Sequence, residues 1–337
     1  MERRGPLGLM TYNLYLGADV SVITDAAEGR WGQRLLDAAA VVYQQAAGTD
    51  FPSRAAAIAR TILRERPAAI ALNEVASWAS QDGAGPLEGD YLDILLDELS
   101  REGMEYGVAC QTRGADLRIP FARGGPTAPG VEMMGFRNRD VILVDLNLDG
   151  LEFHTPGNGD FQAQRVLRAD GHVLDFNRGW ASVHLTYAGS ELRFIATHLE
   201  VASNPLGQSG GSEIQRAQAE EILRIAGSGS PEQPVVLAGD LNTDADGRMS
   251  DTYALLTREF FTDTWVAAGK RGGGSTCCQD PDLANTESAL RSRIDLILTH
   301  GSVETLSAKR VGARKFRSGP APLWASDHAG YVARVLV

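Results

Sequence analysis

The sequence predicts an α/β fold in which two β-sheets pack face to face and helices cover their outer surfaces. Helical segments with one apolar face alternate along the chain with short apolar runs of strand length. Most of these runs are apolar on both faces, as expected for strands that lie between another sheet and a layer of helices. Two packed sheets with helices outside satisfy both patterns.

The helices are indicated by apolar residues at positions i, i+3, i+4 and i+7. Ser53 is predicted to begin a helix that Pro67 ends. Ser212 and Gln215 have the spacing of a capping box on a helix that ends at Gly227. The sets with helical spacing are Leu35, Ala38, Ala39 and Val42; Leu92, Leu95, Leu96 and Leu99; and Ala219, Ile222, Leu223 and Ala226.

The strands are indicated by short apolar runs. These runs are LGLMTY, AAIALN, DVILVDL, WASVHLTY, LRFIATH, VVLAG, RIDLILTH and YVARVLV. Between the elements lie segments rich in Gly and Pro, which are typical of loops. The predicted loops cover residues 82–89, 123–130, 156–159, 204–211 and 271–274.

The composition is that of a packed globular protein, with 43% hydrophobic residues in a chain of 337, long enough for one large domain or two. No run approaches the length of about 18 apolar residues that a membrane span needs, so we expect a soluble protein, and we expect a monomer. The 43 acidic and 32 basic residues give a net charge of −11, which disfavours a broad basic surface for duplex nucleic acid. A metal site that gathers carboxylates remains compatible with this charge.

Neither the N-terminus nor the cysteines identify a compartment. The start, MERRGPLGLM, has too short an apolar stretch for a secretory signal, so a cytoplasmic protein and a secreted protein whose signal has been removed both remain open. Cys110, Cys277 and Cys278 match neither a disulfide framework nor a zinc pattern, and we expect structural thiols.

Polar residues occur where buried strands should be apolar. A polar group at the end of a buried strand costs free energy unless something satisfies it, and one shared site would satisfy all of these groups. The residues are Asn13, Asn73, Glu74, His198, Asp240, Asn242, Asp295, Asp327 and His328.

Each of these residues also has an ordinary structural explanation. The sequence GDLN, which contains Asp240 and Asn242, is a good turn. A single buried histidine such as His198 is more often hydrogen-bonded in a core, and Asp295 could be neutralised by Arg293. The joint pattern, rather than any one residue, indicates a functional site.

Taken in order, the motifs TYN, NEV, THL, GDLN, RIDLIL and SDH resemble those of the endonuclease/exonuclease/phosphatase superfamily. The resemblance extends over residues 10–337 and implies a single domain covering 1–337, because the site would use residues from both ends of the chain. It implies a four-layered αββα sandwich of the deoxyribonuclease I type, with two mixed sheets flanked by helices. It also implies Mg²⁺ or Mn²⁺ as cofactor and hydrolysis of a phosphate ester by an activated water.

The resemblance further implies a metal site. Glu74 would be the main metal ligand, with Asn13 and Asp327 as further members of the site. Oxygen ligands of this kind are those that Mg²⁺ prefers.

The remaining motif residues would perform the chemistry. His328 would contact a phosphoryl oxygen or transfer a proton, and Asp295 would hold its imidazole. His198 would stabilise the pentavalent phosphorus or assist the leaving group, and Asn242 would hold the same phosphate region. Asp240 would orient or deprotonate the attacking water, although His328 could also activate it.

The sequence departs from the family pattern in two places. The family usually has Gln where Asn73 precedes Glu74, which could alter a contact near the metal. Deoxyribonuclease-like members place a Glu after a Tyr-x-Val segment to pair with the THL histidine, whereas Cys110 and Gln111 occupy that neighbourhood here. Asp116 could replace this Glu and contact the substrate, or could simply cap a turn.

Further substrate contacts are predicted in segments that resemble a bacterial subgroup of the superfamily. The segments NLYLGAD, NRDVIL and RGWASV contain Asp19, Arg139 and Arg178, each of which could reach the substrate or could be solvated or ion-paired. The insertion between Asn13 and Glu74 could line a closed pocket suited to a small phosphoester.

A phosphodiesterase is the leading functional prediction, with nucleic acid, a lipid head group or a small molecule as its substrate. A phosphomonoesterase of the same fold and a non-catalytic binding module are the alternatives. A metalloenzyme that acts on a non-phosphate ester is a further one, because the site is a general Lewis-acid arrangement and fold does not fix substrate.

Overall fold

The computed structural model describes residues 5–23, 33–80, 87–121, 130–169, 172–175, 177–202, 210–230, 233–319 and 321–337. Two mixed β-sheets pack face to face with helices on their outer surfaces, as predicted. The helices are α1 (Gln33–Gly48), α2 (Phe51–Glu65), α3 (Tyr91–Arg101), α4 (Gly211–Ala226), α5 (Thr252–Glu259) and α6 (Thr264–Ala267). The strands are β1 (Leu7–Asn13), β2 (Ala69–Ala79), β3 (Gly89–Asp90), β4 (Tyr106–Gln111), β5 (Ala115–Phe121), β6 (Glu132–Asp145), β7 (Leu151–Asp160), β8 (Val166–Ala169), β9 (His172–Asp175), β10 (Gly179–Tyr187), β11 (Ser190–His198), β12 (Val235–Asp240), β13 (Thr262–Asp263), β14 (Asp295–His300), β15 (Glu304–Val311), β16 (Phe316–Ser318), β17 (Ala321–Leu323) and β18 (Gly330–Leu336).

The two sheets bring distant parts of the chain together. The first sheet has the strand order β15-β18-β1-β2-β6-β4, with β3 paired to β2 and β5 paired to β6. In its centre β1 is antiparallel to β18 and parallel to β2. The second sheet has the order β13-β14-β12-β11-β10-β7, in which β11 and β12 are parallel and β14 is antiparallel to β12.

Three apolar clusters hold the layers together. Phe194 and Ile297 belong to the cluster between the two sheets. Ile58 and Leu95 pack α2 and α3 onto the outer face of the first sheet, and Ile222 packs α4 onto the second. Complete burial of such a side chain contributes about 1.5–3 kcal/mol each, so the packing of these layers fixes the positions of the strand ends.

Helix α2 confirms the predicted end but not the predicted start. Its first residues follow Asp50, whose carboxylate accepts a hydrogen bond from the Ser53 amide, so Asp50 is the N-cap and the prediction of Ser53 is wrong. The helix ends at Glu65, before Pro67, as expected.

The predicted capping box on α4 is also wrong. Ser212 Oγ donates a hydrogen bond to the Ala202 carbonyl, and Gln215 Nε2 donates to the carbonyls of Glu200 and Asn242. The two side chains therefore join the start of the helix to neighbouring loops instead of capping its own amides.

Exposed edges explain the strands that the sequence analysis missed. Residues 156–159, predicted as a loop, lie within the largely exposed strand β7, and β15 is similarly exposed. A solvent-facing edge strand has no apolar run for periodicity to detect. The segment 271–274 is a loop, as predicted. The other predicted loops lie mostly outside the described residues. These loops are 82–89, 123–130 and 204–211.

The structure also tests the predictions made for the cysteines and for membrane-spanning segments. Cys110 is free and buried, in line with expectation, whereas Cys277 and Cys278 form a disulfide and are not the free thiols that were predicted. Over the ranges given above, no helix is both long and apolar enough to cross a membrane.

Candidate active site

The predicted motif residues meet at one edge of the sandwich, where strands of both sheets end. In the first sheet Asn13 lies in register with Asn73 on the parallel strand β2. In the second sheet His198 lies opposite Asp240, and Asp240 lies opposite Asp295 at the start of the antiparallel strand β14. The packing of the two sheets brings these polar ends together.

The Asp240 carboxylate is at the centre of the site. Its Oδ2 atom accepts a hydrogen bond of 3.1 Å from Asn13 Nδ2 and lies 3.5 Å from His198 Nε2 and 3.7 Å from His328 Nε2. The two imidazole distances are too long for good hydrogen bonds. Both Nε2 atoms therefore face the same oxygen while remaining available to a substrate.

His328 is held as a cation. Its Nδ1 donates a 2.8 Å hydrogen bond to Asp295 Oδ2, as the resemblance implied. Burial would lower the pKa of His328, but the carboxylates of Asp295, Asp327 and Asp240 together outweigh it and hold the pKa well above its usual value.

His198 is held in the neutral state. Burial lowers its pKa well below the usual value, and the positive charges of Arg178 and His328 act in the same direction. Its Nδ1 lies 3.8 Å from Asp140 Oδ1 and has no hydrogen-bond partner among the described residues. The surroundings of the two histidines therefore favour opposite charge states.

Asp140 is a site residue that the sequence analysis missed. It is the carboxylate beside His198, the place suggested for Asp116. Asp116 forms instead an exposed ion pair of 3.0 Å with Arg137, so the suggestion that it pairs with His198 is wrong. Burial raises the pKa of Asp140 to about 6, although a hydrogen bond from Asn73 lowers it.

Asn73 joins the two sheets beneath the site. Its Nδ2 donates to Asp140 Oδ1 at 2.9 Å and to the Thr197 carbonyl at 3.0 Å, while its Oδ1 accepts from the Asp240 amide at 2.9 Å. The residue that replaces the family's usual Gln thus positions two carboxylates rather than only altering a contact near the metal.

The GDLN turn is a real turn that also orients a carboxylate. Gly239 has a φ of +152°, and a Cβ there would lie 1.9 Å from the Thr197 carbonyl oxygen, so only Gly fits. Asp240 Oδ1 accepts from the Asn242 amide at 3.0 Å, which leaves Oδ2 facing the histidines. Asn242 Nδ2 donates to the Leu199 carbonyl, and its contact with phosphate stays a prediction.

Glu74 reaches the site from a β-bulge. The pairing of β2 with β6 shifts register between Leu72 and Val75, and Glu74 adopts a left-handed φ of 55°. Such backbone conformations in non-Gly residues often occur where a bulge directs a functional side chain. Glu74 Oε2 accepts a hydrogen bond from the Leu16 amide and lines a cavity of about 240 Å³.

Two of the predicted substrate contacts line this cavity. Arg178 and Asp19 lie in its wall together with the apolar side chain of Phe136. Within the ranges covered by the structure, the Arg178 guanidinium forms no hydrogen bond or ion pair. The insertion between Asn13 and Glu74 lines this cavity through Leu16, Asp19 and Val20, as predicted, and Gln45 on α1 accepts a hydrogen bond from the Asp19 amide.

A second cavity of about 570 Å³ adjoins the first and contains the other two candidates. Asp116 and Arg139 line it, and Asn138 belongs to both cavities. Both oxygens of Asp90 accept 2.8 Å hydrogen bonds from Arg139 Nη2, so Arg139 is ion-paired. Its contact with substrate stays a prediction.

The carboxylates of the site fit a divalent cation. Burial raises the pKa of Asp240 to about 6 and that of Asp327 to about 7, and for Asp327 the nearby charges of Glu74 and Asp240 add to the effect. This crowding of buried negative charge is what a cation such as Mg²⁺ or Mn²⁺ would relieve, and oxygen ligands suit both ions.

The ligand roles predicted for Glu74, Asn13 and Asp327 stay predictions. Asp240, Asp295 and His328 offer atoms within 4.8 Å of one another, a group that does not include Glu74. Asn13 donates to Asp240 through Nδ2 and accepts from the Tyr15 amide through Oδ1, so its observed role is to orient Asp240.

Comparison with known proteins identifies the family. The sequence profile of the Endonuclease/Exonuclease/phosphatase family matches residues 10–328. The chain belongs to this family. Its fold is therefore that of phosphoester-cleaving hydrolases, which generally use a divalent metal. No curated protein gives a significant match.

Solved structures of this family share the fold at low identity. A mannosyl-6-phosphatase from Bacteroides thetaiotaomicron VPI-5482 is 16% identical, with a TM-score of 0.60 over 98% of this chain and 100% of that one. An endonuclease/exonuclease/phosphatase from Beutenbergia cavernae DSM 12333 is 21% identical, with a TM-score of 0.58 over 99% of this chain and 72% of that one. Truncated TDP2 from Caenorhabditis elegans is 14% identical, with a TM-score of 0.54 over 98% of both chains.

Proposed function

We propose that this protein is a divalent-metal-dependent phosphodiesterase that acts on small phosphodiesters. The observation that carries the proposal is the arrangement around Asp240, where the Nε2 atoms of His198 and His328 face one carboxylate oxygen. We also propose that residues 1–337 act as a single monomeric domain, because Asn13 and His328 contribute to one site.

The charge states favour Asp240 as the base. With a pKa of about 6, its carboxylate is ionised at neutral pH. This pKa is also close enough to 7 for the carboxylate to accept a proton from the attacking water. The His328 imidazolium already carries its proton, so it is suited to bind a phosphoryl oxygen and to stabilise the developing charge. We therefore propose Asp240, rather than His328, as the residue that activates the water.

His198 would act on the same phosphate from the other side. As a neutral imidazole it can exchange a hydrogen bond with a phosphoryl or leaving-group oxygen. Asp140, at 3.8 Å from Nδ1, is positioned to stabilise positive charge that develops on the ring. Asn73 holds Asp140 and Asp240 at fixed positions relative to each other.

Glu74 and Asp327 are the residues that would hold Mg²⁺ or Mn²⁺, with Asn13 orienting Asp240 beside them. When bound, such an ion polarises a phosphoryl oxygen and makes water a better nucleophile at neutral pH. Its positive charge would also compensate the buried carboxylates of the site.

Cavity size and charge support a small substrate. The cavity beside Glu74 has a volume of about 240 Å³, and the net charge of −11 does not favour an extended polyanion such as duplex DNA. A phosphomonoester is the second candidate, because the Arg178 guanidinium could balance the additional charge of a monoester. One solved neighbour is named a mannosyl-6-phosphatase, which is consistent with this candidate.

The experiment compares diester and monoester hydrolysis by metal-free protein to which Mg²⁺ or Mn²⁺ is added. We expect turnover of bis(p-nitrophenyl) phosphate to exceed that of p-nitrophenyl phosphate and to disappear in EDTA. Asp240→Asn should reduce kcat about 1,000-fold, whereas Asp246→Asn, at an exposed aspartate nearby, should leave it unchanged.

Two outcomes would refute the proposal. Hydrolysis that persists in EDTA would exclude the role of the metal. If the protein hydrolyses none of these esters, nor plasmid DNA, RNA, sphingomyelin or inositol phosphates, in the presence of metal, the result would instead support a non-catalytic binding module.

A further inference from the structure

Cys277 and Cys278 lie against the candidate catalytic histidine, and the proposed reaction uses neither sulfur. The exposed Cys278 has its Sγ 3.9 Å from His328 Nε2. Both sulfurs and a ring nitrogen of His328 lie within 4.8 Å of one another. We propose that, once the disulfide is reduced, these three residues bind a soft divalent cation such as Zn²⁺ or Cd²⁺, and that binding withdraws His328 from catalysis.

The backbone keeps the two sulfurs near His328 without the disulfide. The Cys277 amide donates to the Ser292 carbonyl at 3.0 Å, and the Ser292 amide donates back to the Cys277 carbonyl at 3.1 Å. Two residues on, the Gln279 amide donates to the Asp327 carbonyl at 2.8 Å. This segment is therefore fixed to the strand that leads into Asp295 and to the residue before His328, so opening the disulfide does not release it.

The separation between sulfur and nitrogen suits tetrahedral coordination, and the two sulfurs move apart to coordination distance once the disulfide is reduced. Zinc–sulfur and zinc–nitrogen bonds of usual length place the two ligand atoms roughly 3.6 Å apart. The observed distance of 3.9 Å between Cys278 Sγ and His328 Nε2 needs only a small adjustment. Asp240 Oδ2, at 3.7 Å from the same nitrogen, is available as a fourth ligand.

The histidine is oriented as in a carboxylate–histidine–metal arrangement. Asp295 accepts the hydrogen bond of His328 Nδ1 at 2.8 Å, which directs Nε2 towards the sulfurs. Thiolate and imidazole ligands favour Zn²⁺ and Cd²⁺, whereas the carboxylates of the catalytic site favour Mg²⁺ or Mn²⁺. The thiolate–imidazole site and the carboxylate site therefore prefer different cations.

The reaction that opens the site is a two-electron reduction. A phosphine reductant supplies two electrons and takes the oxygen of one water molecule, and the two hydrogens of that water protonate the two sulfurs. On coordination, each thiol and the Nε2 atom of the His328 imidazolium lose a proton to the buffer, while Nδ1 keeps the proton that it donates to Asp295. The ligands are then two thiolates and one imidazole nitrogen.

The binding experiment uses the full-length protein, reduced with a phosphine and desalted without oxygen. Cd²⁺ is added and the thiolate-to-cadmium charge-transfer absorption is recorded in the ultraviolet. We expect the band to saturate at one equivalent per chain in the reduced protein and to be absent from the oxidised protein. Because only thiolate coordination produces this band, Cd²⁺ bound to carboxylates does not interfere.

Variants separate the ligands. Cys278→Ser should remove the saturable band, and His328→Gln should weaken Cd²⁺ binding at least tenfold while the band remains. Cys110→Ser, at a buried cysteine on β4, is the matched control and should behave like the wild type. The proposal is overturned if the reduced wild type gives no saturable band, if Cys278→Ser retains it, or if His328→Gln binds as tightly as the wild type.

A second measurement tests the consequence for turnover and rests on the proposed function. In the reduced protein with saturating Mg²⁺, one equivalent of Zn²⁺ should lower hydrolysis at least tenfold, and the oxidised protein should be unaffected. Equal inhibition of the two forms would overturn the inhibitory role. The cadmium band needs no turnover, so a failure of the proposed phosphodiesterase activity would be seen separately from a failure of metal binding.

Discussion

Replacing Asn73 with Ala removes the amide that joins the two sheets beneath the site. The Asp240 amide loses its acceptor in a buried position, which costs about 1–3 kcal/mol, and the lost bond to the charged Asp140 contributes about 1.5–3 kcal/mol. The bond to the Thr197 carbonyl adds about 0.5–1.5 kcal/mol. Even the lower ends of these ranges sum to about 3 kcal/mol in the free energy of unfolding.

Urea unfolding followed by circular dichroism measures this loss, and hydrolysis of bis(p-nitrophenyl) phosphate measures its effect on the site. We expect Asn73→Ala to lower kcat/KM at least tenfold, because Asp240 is no longer held. Asn158→Ala, which removes one exposed hydrogen bond to the Gln111 carbonyl, is the control and should change the free energy of unfolding by less than about 0.5 kcal/mol. If Asn73→Ala behaves like this control in both assays, the reasoning about the amide is wrong.

Three further predictions concern charge. Asp295→Asn should lower kcat about 100-fold or more, because an amide cannot stabilise the His328 imidazolium, and an unchanged pH–rate profile would contradict this. Burial raises the pKa of Asp140 from 3.8 to about 6, so the folded protein binds this proton more tightly than the unfolded chain, and the resulting stabilisation is lost as the pH rises from about 4 to about 6. The Tm of Asp140→Asn should therefore rise relative to that of the wild type between pH 4 and pH 7, and a constant Tm difference would argue against the shift. Arg178→Ala should raise KM for the phosphodiester more than Arg137→Ala, whose guanidinium is exposed and paired, and equal changes in KM would place Arg178 outside the substrate site.

The part of the site that local sequence reveals is the set of polar residues directly after apolar runs. Asn13, His198 and Asp240 are of this kind, and the structure brings them to one edge. Asp140, like Asp295, begins an apolar run, but unlike Asp295 it belongs to none of the six family motifs and was therefore missed. Strand β6 is antiparallel to β2, so the start of its apolar run lies level with Asn73 on β2. A search at both ends of apolar runs would have found Asp140.

Contacts between distant residues could not be predicted in this way. The partners of Asn73 are 67, 124 and 167 positions away, and no local pattern indicates them. The opposite charge states of His198 and His328 likewise depend on which charged groups the fold brings near each ring. Sequence motifs identify both histidines as candidates but cannot assign a proton to either.

The pairing of the first and last described strands has a consequence for biosynthesis. Leu7 lies opposite Val335, and Ser326 Oγ donates to the Asn13 carbonyl across a separation of 313 residues. A ribosome releases Asn13 early, whereas Ser326, which contacts it, is synthesised 313 residues later. Such a long loop must close before the central strand β1 has both of its partners. A nascent chain therefore cannot assemble the site before residue 328 has left the ribosome.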